Sequence, residues 1–559
     1  MPDRNAPFAV TLIDVLARLG VRHACVTPGS RSTPLSLALT TSEITDWSHH
    51  DERSSAFFAL GIAKTTGAAV LIVTTSGTAA AELHPALAEA RHARVPLIAI
   101  TADRPRELRG VGAPQTIDQH DLFGPSVKWS EDIEVPDEPD TAVALAARLW
   151  QEAMATPAGP VHLNLGFAEP LVSREQVMSA ATATPEVVIA GHDPDETEVS
   201  AAAAQLSNRR GVIMAGPTDE RGVPGATAQL AASLGWPILA DPLSGVRAGS
   251  HERSRVISAS DGLAWGGFLD AARPEAVVRF GAIPTSKPMW EWLGVNRDVP
   301  QIFIEAAGRR DPAKSASVVL RADVVPTLRR LSAAVDRPAP ASWLERWRDA
   351  DRAAIAAMSA VLDDAPFPNE LGIARTVVES MPSGAVLWVA SSMPVRDLDA
   401  MMASTDRDIR VLANRGANGI DGFVSSALGS AAVSGLPTVA IAGDLSVLHD
   451  VGSLATALRL EIGLRIVAVN NNGGGIFHLL PQEGLPQFER HWGTPHGLDL
   501  TAVAAGFGID AERVSDADRL AMLVAIPPTR PALIELITDR TENAALHRRV
   551  RAAVAKAIT

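Results

Sequence analysis

Two polar motifs in the last quarter of the chain carry residue types that could do chemistry. GDLSVLHD at residues 443–450 follows the apolar run PTVAIA, and NNNGGG at residues 470–475 follows RIVAV. Asp444 and Asn471 are 471 − 444 = 27 positions apart, the length of one helix plus one strand. A carboxylate, an amide oxygen and a nearby backbone carbonyl are hard ligands that suit Mg²⁺, and glycines let a backbone approach a diphosphate closely. The alternative for the second motif is a tight turn, which Asn and Gly also favour.

The secondary structure that positions these motifs can be inferred from alternating strand-like and helix-like segments of the sequence. This alternation recurs in three parts of the chain and predicts an α/β protein with three doubly wound parallel-sheet domains. The expected domains span residues 1–175, 190–335 and 355–559, with polar linker segments at 173–200 and 335–343. In such sheets ligands bind beyond the carboxyl ends of the strands, where the polar residues of the first domain also cluster.

The composition argues against several classes of protein. The 559 residues include 50 Lys plus Arg against 64 Asp plus Glu, and the net charge of −14 disfavours a broad nucleic-acid-binding surface. The single cysteine, Cys25, excludes a disulfide framework and is expected to be a buried thiol. No apolar run reaches the ~20 residues of a membrane span, and the N-terminus has the pattern of an amphipathic helix rather than a signal peptide. We expect a cytoplasmic protein with no membrane insertion.

The pairing of GD after one strand with NN after the next resembles the signature of thiamine-diphosphate enzymes. The resemblance implies that the ligands of Mg²⁺ or Mn²⁺ are Asp444, Asn471 and the carbonyl of Gly473. It places along the cofactor diphosphate Gly443, Leu445, Ser446 and Gly474. In these enzymes a glutamate of the N-terminal, pyrimidine-binding domain bonds to the aminopyrimidine ring and promotes deprotonation of the thiazolium carbon, and Glu52 matches it. Without the resemblance, Glu52 is an acid in the first turn of a helix, favourable to the helix dipole.

At finer grain the chain resembles the family of 2-succinyl-5-enolpyruvyl-6-hydroxy-3-cyclohexene-1-carboxylate synthases, thiamine-dependent enzymes of menaquinone biosynthesis. The motifs that carry this resemblance are PGSRSTPL at 28–35, DER at 51–53, TSGTA at 75–79, ADRP at 102–105, NRGANGIDG at 414–422, GDLSVLHD and NNNGGGIF. Leu445 is typical of this family, since most thiamine-diphosphate enzymes have GDG. The resemblance implies decarboxylation of 2-oxoglutarate and addition of the succinyl unit to the β-carbon of isochorismate.

The resemblance also implies individual ligand contacts. Contacts with substrates or intermediates are expected from Ser30, Arg31, Arg104, Gln115, Lys287, Ser392, Arg396, Arg415 and Phe477. Further cofactor contacts are expected from Glu52, Ser76, Gly77, Thr78, Ser392, Ile420 and Ile476. Both substrates are dicarboxylates, and each of the four arginines follows a predicted strand end, where a guanidinium could hold a carboxylate. The alternatives are core packing for the apolar residues and a solvated surface charge for each cation taken alone.

Two positions depart from the family pattern. Pro114 stands in GAPQ where family members usually have GANQ, and it offers neither a side-chain donor nor a backbone N–H. Pro288 follows Lys287 where a second basic residue is expected. These departures leave the reaction class unchanged but put two substrate contacts in question.

The resemblance further implies a homodimer or homotetramer whose active centres combine the glutamate of one subunit with the diphosphate site of another. One rival hypothesis is an acetolactate-synthase-like enzyme acting on pyruvate, but a small monocarboxylate does not need the arginine set. The other rival is a non-catalytic homologue, which would be expected to lack Glu52, Asp444 or Asn471.

Overall fold

The computed structural model describes residues 4–134, 136, 139–173, 177–308 and 310–559. The chain divides into two compact units. The first unit consists of Met1–Ala190, Asn414–Gly435 and Ser446–Leu464. The second unit consists of Gly191–Ala413, Leu436–Leu445 and Arg465–Thr559. One parallel sheet belongs to the first unit and two belong to the second, which confirms the predicted fold class.

The first sheet has the strand order β2-β1-β3-β4-β6-β5, and its strand pairs are parallel. Its strands are β1 (His23–Val26), β2 (Thr45–Ser48), β3 (Val70–Thr74), β4 (Leu97–Asp103), β5 (Ser130–Ile133) and β6 (Val161–Gly166). The helices are α1 (Asn5–Arg18), α2 (Thr33–Thr40), α3 (Glu52–Thr66), α4 (Thr78–Ala81), α5 (His84–Ala93) and α6 (Pro139–Met154). The central strands β3 and β4 are buried throughout and mostly apolar, as a sheet covered on both faces requires.

The second sheet has the order β11-β10-β9-β7-β8, again with parallel pairs. Its strands are β7 (Val212–Ala215), β8 (Ile238–Ala240), β9 (Val277–Phe280), β10 (Gln301–Ile304) and β11 (Val318–Leu320). The accompanying helices are α7 (Glu196–Leu206), α8 (Val223–Leu234), α9 (Ser260–Trp265), α10 (Phe268–Ala271), α11 (Lys287–Val295) and α12 (Val324–Ala334).

The third sheet has the order β13-β12-β14-β15-β17-β16. Its strands are β12 (Ala385–Val389), β13 (Ile409–Leu412), β14 (Thr438–Gly443), β15 (Leu464–Asn470), β16 (Asp510–Arg513) and β17 (Ala532–Ile537). The remaining helices are α13 (Ala341–Asp363), α14 (Glu370–Ser380), α15 (Met393–Met401), α16 (Phe423–Ser434), α17 (Asp444–His449), α18 (Ser453–Arg459), α19 (Leu500–Gly506), α20 (Ala517–Ala525) and α21 (Arg540–Ala557).

Helices α3 and α16 pack against each other within the first unit, backbone to backbone. A Cβ atom added to Gly61 would lie 1.9 Å from the carbonyl oxygen of Ser426, and one added to Gly429 would lie 2.0 Å from that of Phe58. Only glycine permits this approach. The contact fixes the axis of α3, whose first residue is Glu52.

Asp450 joins the beginnings of the same two helices. Its side chain accepts hydrogen bonds from Ser425 N at 2.7 Å and from Ser54 Oγ at 3.2 Å. Burial raises the pKa of this carboxyl to about 6. The last residue of the GDLSVLHD motif therefore supports the packing of α3 and α16.

The cores consist mainly of aliphatic side chains, and their composition agrees with one further prediction. Cys25 is fully buried in β1, as expected for a structural thiol. In the described part of the chain, no helix is long and apolar enough to cross a membrane.

His162 is a buried, neutral histidine whose ionisation should be visible in the stability of the fold. Thr101 Oγ1 donates to Asn164 Oδ1, so it accepts the Nε2–H of His162 at 2.8 Å. Burial lowers the pKa of His162 from 6.5 to about 4, and the nearby Asp132 only partly opposes this.

We predict that His162→Gln flattens the acid dependence of stability, because Gln can keep an N–H near Thr101 but does not titrate. In the wild type, His162 binds a proton below pH 6.5 in the unfolded state but only below about pH 4 in the folded state. This group's contribution is present above pH 6.5 and is lost as pH falls, by a total on the order of 3 kcal/mol. Urea unfolding between pH 4.5 and 7.5 measures it. Parallel wild-type and variant curves would contradict the prediction.

Candidate active site

Asp444 and Asn471 lie together at the ends of the neighbouring strands β14 and β15. Asp444 begins α17, and its Oδ2 accepts a hydrogen bond from Gly473 N at 2.8 Å. Its Oδ1 accepts one from Leu445 N at 2.6 Å. Both side chains are buried. The structure therefore brings together the three residues that the sequence singles out as metal ligands.

The three consecutive asparagines have three different partners. Asn470 Nδ2 donates to Glu535 Oε1 at 2.7 Å, and Asn472 Oδ1 accepts from His496 N at 2.9 Å and from Gly497 N at 2.8 Å. Asn471 Nδ2 donates to Glu370 Oε1 at 2.8 Å. Asn470 and Asn472 therefore anchor the loop on both sides of Asn471, which is itself held by Glu370.

The amide oxygen of Asn471 has no hydrogen-bond partner among the described residues, although it is buried. Such an atom is costly unless something else satisfies it. With the Asp444 carboxylate beside it and the Gly473 carbonyl in the same loop, the donor set consists of hard oxygens. These residues fit a Mg²⁺ or Mn²⁺ ion.

The glycines of this loop are required by packing within the chain. A Cβ at Gly473, whose φ is +133°, would lie 1.9 Å from the carbonyl oxygen of Gly493, and one at Gly474 would lie 2.1 Å from that of Trp492. A Cβ at Gly475 would meet Asn471 Nδ2 at 2.6 Å. Gly443, in the other motif, is different, because a Cβ added there would contact nothing within 4 Å. Of these glycines, Gly443 best satisfies the expectation of close approach by a diphosphate.

Glu370, the first residue of α14, is the partner that sets the orientation of Asn471. Its Oε1 also accepts a hydrogen bond from Thr538 Oγ1 at 3.2 Å. Burial, followed by the neighbouring Asp397 carboxylate, raises the pKa of Glu370 to about 8. Its Oε1 can accept these hydrogen bonds in either protonation state.

His496 is the partner of Asp444. Its Nε2 lies 3.1 Å from Asp444 Oδ2, and its Nδ1 accepts a hydrogen bond from Leu498 N at 3.0 Å. An accepting Nδ1 places the proton of the neutral ring on Nε2, so the ring donates to Asp444.

A second group of predicted residues lies at the carboxyl edge of the first sheet. Ser76 Oγ donates to the carbonyl of Gln115 at 3.0 Å, and Gln115 Nε2 donates to the carbonyl of Ser76 at 3.1 Å. Arg104 Nη2 donates to the carbonyl of Pro114 at 3.1 Å. Pro114 thus holds Arg104 through its backbone, although it lacks the amide side chain that the family pattern predicts.

Arg31 is buried at the same edge and is only partly satisfied. Its Nη1 donates to the carbonyl of Phe167 at 2.8 Å and lies 3.4 Å from Glu169 Oε1. Its Nε has no hydrogen-bond partner among the described residues. Burial and then the nearby Arg104 cation lower the pKa of Arg31. A carboxylate bound here would relieve both effects.

The buried Gln119 links the loops at this edge through hydrogen bonds. Its Oε1 accepts from Gly77 N at 2.8 Å, and its Nε2 donates to Asn164 Oδ1 at 2.8 Å. Asn164 Nδ2 donates to Asp103 Oδ2 at 2.9 Å. The three loops that carry Gly77, Arg104 and Gln115 therefore share one buried network.

The loop that carries Arg415 is fixed by Glu89 of α5. The buried Glu89 carboxylate accepts from Gly416 N at 2.8 Å, Ala417 N at 2.6 Å and Asn418 N at 2.9 Å. Arg415 and Ile420, within and just beyond this loop, are both partly exposed.

The other predicted residues occupy helix beginnings and loops. Glu52 is half-buried at the start of α3, Ser30 and Thr78 are exposed, and Ser446 is buried in α17. Ser392 has φ +69° before α15, and its carbonyl accepts from Arg396 Nη1 at 2.5 Å.

Lys287 is 60% exposed and its Nζ lies 3.4 Å from Glu291 Oε1, so the structure shows it in a surface ion pair. Leu445, Ile476 and Phe477 are half-buried.

Sequence reasoning missed Glu89, Gln119, Glu370 and His496. Glu89 has the sequence pattern of an ordinary helix charge, and Glu370 that of a first-turn acid after the N-cap Asn369. Gln119 and His496 stand in polar segments without a recognisable motif. Their partners are far away in the sequence, so only the fold reveals them.

We predict that Glu89→Gln lowers the free energy of unfolding by about 2–3 kcal/mol, because hydrogen bonds to a buried charge are lost and an amide N–H₂ then faces backbone donors. Glu82→Gln, an exposed glutamate of the same unit, should change stability by less than about 0.5 kcal/mol. Chemical denaturation of both variants measures the difference. Equal stabilities would show that the contact between Glu89 and the loop contributes nothing.

The chain matches three models of known protein families. Residues 8–122 match the N-terminal TPP binding domain of thiamine pyrophosphate enzymes, residues 183–389 the middle domain, and residues 401–536 the C-terminal TPP binding domain. Thiamine pyrophosphate is another name for thiamine diphosphate.

Full-length relatives share one name. The chain is 41% identical over 575 residues to a 2-succinyl-5-enolpyruvyl-6-hydroxy-3-cyclohexene-1-carboxylate synthase of Geobacillus kaustophilus, covering 100% of this chain and 99% of the relative. Relatives of the same name from Myxococcus xanthus and Halobacterium salinarum are each 40% identical. The former match covers 99% of this chain and 98% of the relative, and the latter covers 96% of each.

Proposed function

Since the chain belongs to the 2-succinyl-5-enolpyruvyl-6-hydroxy-3-cyclohexene-1-carboxylate synthase family of thiamine-diphosphate enzymes, we propose that it decarboxylates 2-oxoglutarate and adds the succinyl unit to isochorismate in menaquinone biosynthesis. The observation that carries this proposal is the buried amide oxygen of Asn471 beside Asp444, which no described residue satisfies with a hydrogen bond. A chain that had kept the fold but lost its cofactor would have no reason to retain an unsatisfied oxygen there.

Asp444, Asn471 and the carbonyl of Gly473 would hold the divalent cation, whose charge would offset that of the cofactor diphosphate. When bound, thiamine diphosphate supplies the nucleophilic carbon and the electron sink that decarboxylation of a 2-oxo acid needs. In this proposal Glu52 exchanges a proton with the aminopyrimidine ring, from its place at the start of α3.

Arginines are proposed to select dicarboxylates. Arg31 and Arg104 form a cationic pair at the edge of the first sheet, and the buried Nε of Arg31 is free to donate to a carboxylate. The loop held by Glu89 would present Arg415, and Arg396 would act from the first turn of α15 beside Ser392. A substrate with one carboxylate would leave part of this charge unpaired, which disfavours pyruvate.

The proposed reaction is tested by incubating the protein with 2-oxoglutarate, isochorismate, thiamine diphosphate and Mg²⁺ while following CO2 release and isochorismate loss. We expect both signals in the wild type and a fall of ~10²-fold or more in Glu52→Gln, which cannot exchange the proton. Glu43→Gln, the same substitution at an exposed position, should keep full activity.

Other outcomes of this assay identify the alternatives. CO2 release without isochorismate loss would show a thiamine decarboxylase with a different acceptor. Consumption of pyruvate in place of 2-oxoglutarate would favour an acetolactate-synthase-like enzyme. Cofactor binding with neither signal would favour a non-catalytic homologue.

We also propose that the protein is a homodimer or homotetramer and that each active centre takes Glu52 from one subunit and Asp444 from another. Family resemblance supports this arrangement, and it predicts that an isolated monomer is inactive.

Co-expression of differently tagged Glu52→Gln and Asp444→Ala chains tests the shared centre. If two subunits contribute, the mixed dimer has one doubly altered and one intact centre, and it should recover about half of the wild-type activity. If one subunit supplies both residues, the mixed dimer is as inactive as each parent. Tandem affinity purification followed by the isochorismate assay distinguishes the two results.

A further inference from the structure

We propose that His496 and Glu370 are positioning residues that hold the two side-chain ligands of the divalent cation, Asp444 and Asn471. This inference rests on the proposed function, since it assumes that those two residues bind the cation. It assigns roles to two side chains that lie far from the ligands in the sequence.

The hydrogen bonds of Asp444 are divided between its two oxygens. Oδ2 accepts from both Gly473 N and His496 Nε2, whereas Oδ1 accepts from Leu445 N. Two donors on Oδ2 fix the rotation of the carboxylate and leave Oδ1 with coordination capacity for a cation. His496 does this as a neutral ring, because the Leu498 N–H occupies its Nδ1.

Glu370 does the equivalent for the Asn471 amide. Because Glu370 Oε1 accepts from Asn471 Nδ2, the nitrogen and the oxygen of the amide are distinguished. The oxygen is the atom that has no partner in the described part of the chain. The Thr538 hydroxyl holds the same Oε1. An amide turned the other way would present an N–H₂ group to the cation.

The asparagine loop also ties His496 in place. Asn472 Oδ1 accepts from His496 N and Gly497 N, and Asn470 Nδ2 donates to the carbonyl of Leu498 at 3.2 Å. The asparagines on both sides of Asn471 therefore hold the segment that delivers the ring to Asp444. Partners that orient metal ligands in this way typically contribute ~10- to 100-fold to metal affinity.

The test is the Mg²⁺ dependence of thiamine diphosphate binding to the full-length protein, stripped of divalent cations and measured by isothermal titration calorimetry at stepped Mg²⁺ concentrations. His496→Asn removes the Nε2 donor, whereas His496→Gln places an N–H near the position of Nε2. We expect the half-saturating Mg²⁺ concentration to rise ~10-fold or more in His496→Asn and by less than ~3-fold in His496→Gln. The exposed His491→Asn is the matched control and should equal the wild type.

Glu370 is tested with the same readout. Glu370→Gln keeps an oxygen that can accept from Asn471, whereas Glu370→Met fills a similar volume without an acceptor. We expect the half-saturating Mg²⁺ concentration to rise ~10-fold only in the Met variant. Thermal unfolding of every variant without cofactor identifies any that fail to fold. If His496→Asn or Glu370→Met fails, the Mg²⁺ dependence of His496→Gln or Glu370→Gln, which should stay close to that of the wild type, tests the role of that residue.

The outcomes separate this proposal from the proposed reaction. Binding is measured without substrate, so the Mg²⁺ differences can appear even if isochorismate is never consumed. Wild-type affinity in His496→Asn and Glu370→Met would overturn the positioning roles. Equal losses in the Gln and Asn variants of His496 would also overturn its role, because ring packing rather than the donor would then matter. Wild-type binding that needs no divalent cation would overturn the positioning roles and the proposed cation site, but not the proposed reaction.

Discussion

The loops at the carboxyl ends of β14 and β15 are arranged around one buried oxygen, Asn471 Oδ1, that no described residue satisfies with a hydrogen bond. Folding normally removes such atoms, because each costs roughly 1–3 kcal/mol when no donor reaches it. Here three contacts hold the Asn471 side chain so that Oδ1 meets no donor among the described residues. Glu370 accepts from its amide nitrogen, the asparagines on both sides are anchored, and the following glycines pack against the backbone of residues 492–493. The stability of the rest of the sheet compensates for this local cost, as is common where a site is preorganised.

Buried acids serve as structural anchors throughout this acidic protein. Glu89 holds a loop, Glu370 holds an amide, Glu535 holds the neighbouring asparagine, and Asp450 joins two helix ends. In each case the acceptor oxygens meet N–H or O–H donors, as a buried acid requires. These anchors are a minority of the acidic residues, since most Asp and Glu side chains of the described residues are at least partly exposed.

Much of the architecture could be predicted from the sequence because it depends on local patterns. The alternation of apolar strands with amphipathic helices predicts the parallel sheets, and GD and NN at successive strand ends predict that Asp444 and Asn471 meet. The edge strands β5 and β16 could not be predicted in this way, because SEDI and DAER lack a continuous apolar run. The supporting side chains could not be predicted either. Glu89 and its loop are more than 300 positions apart, and no periodicity links them.

The three successive N–H groups that converge on Glu89 form the kind of concave backbone site that binds phosphate or sulfate in other proteins. Here the chain supplies its own anion, tethered and shielded from solvent. A buried contact of this type is little screened by dissolved salt. The loop that carries Arg415 should therefore keep its place at high ionic strength and in the presence of phosphate. Only the proposed contact of Arg415 with a substrate carboxylate would depend on the surrounding electrolyte.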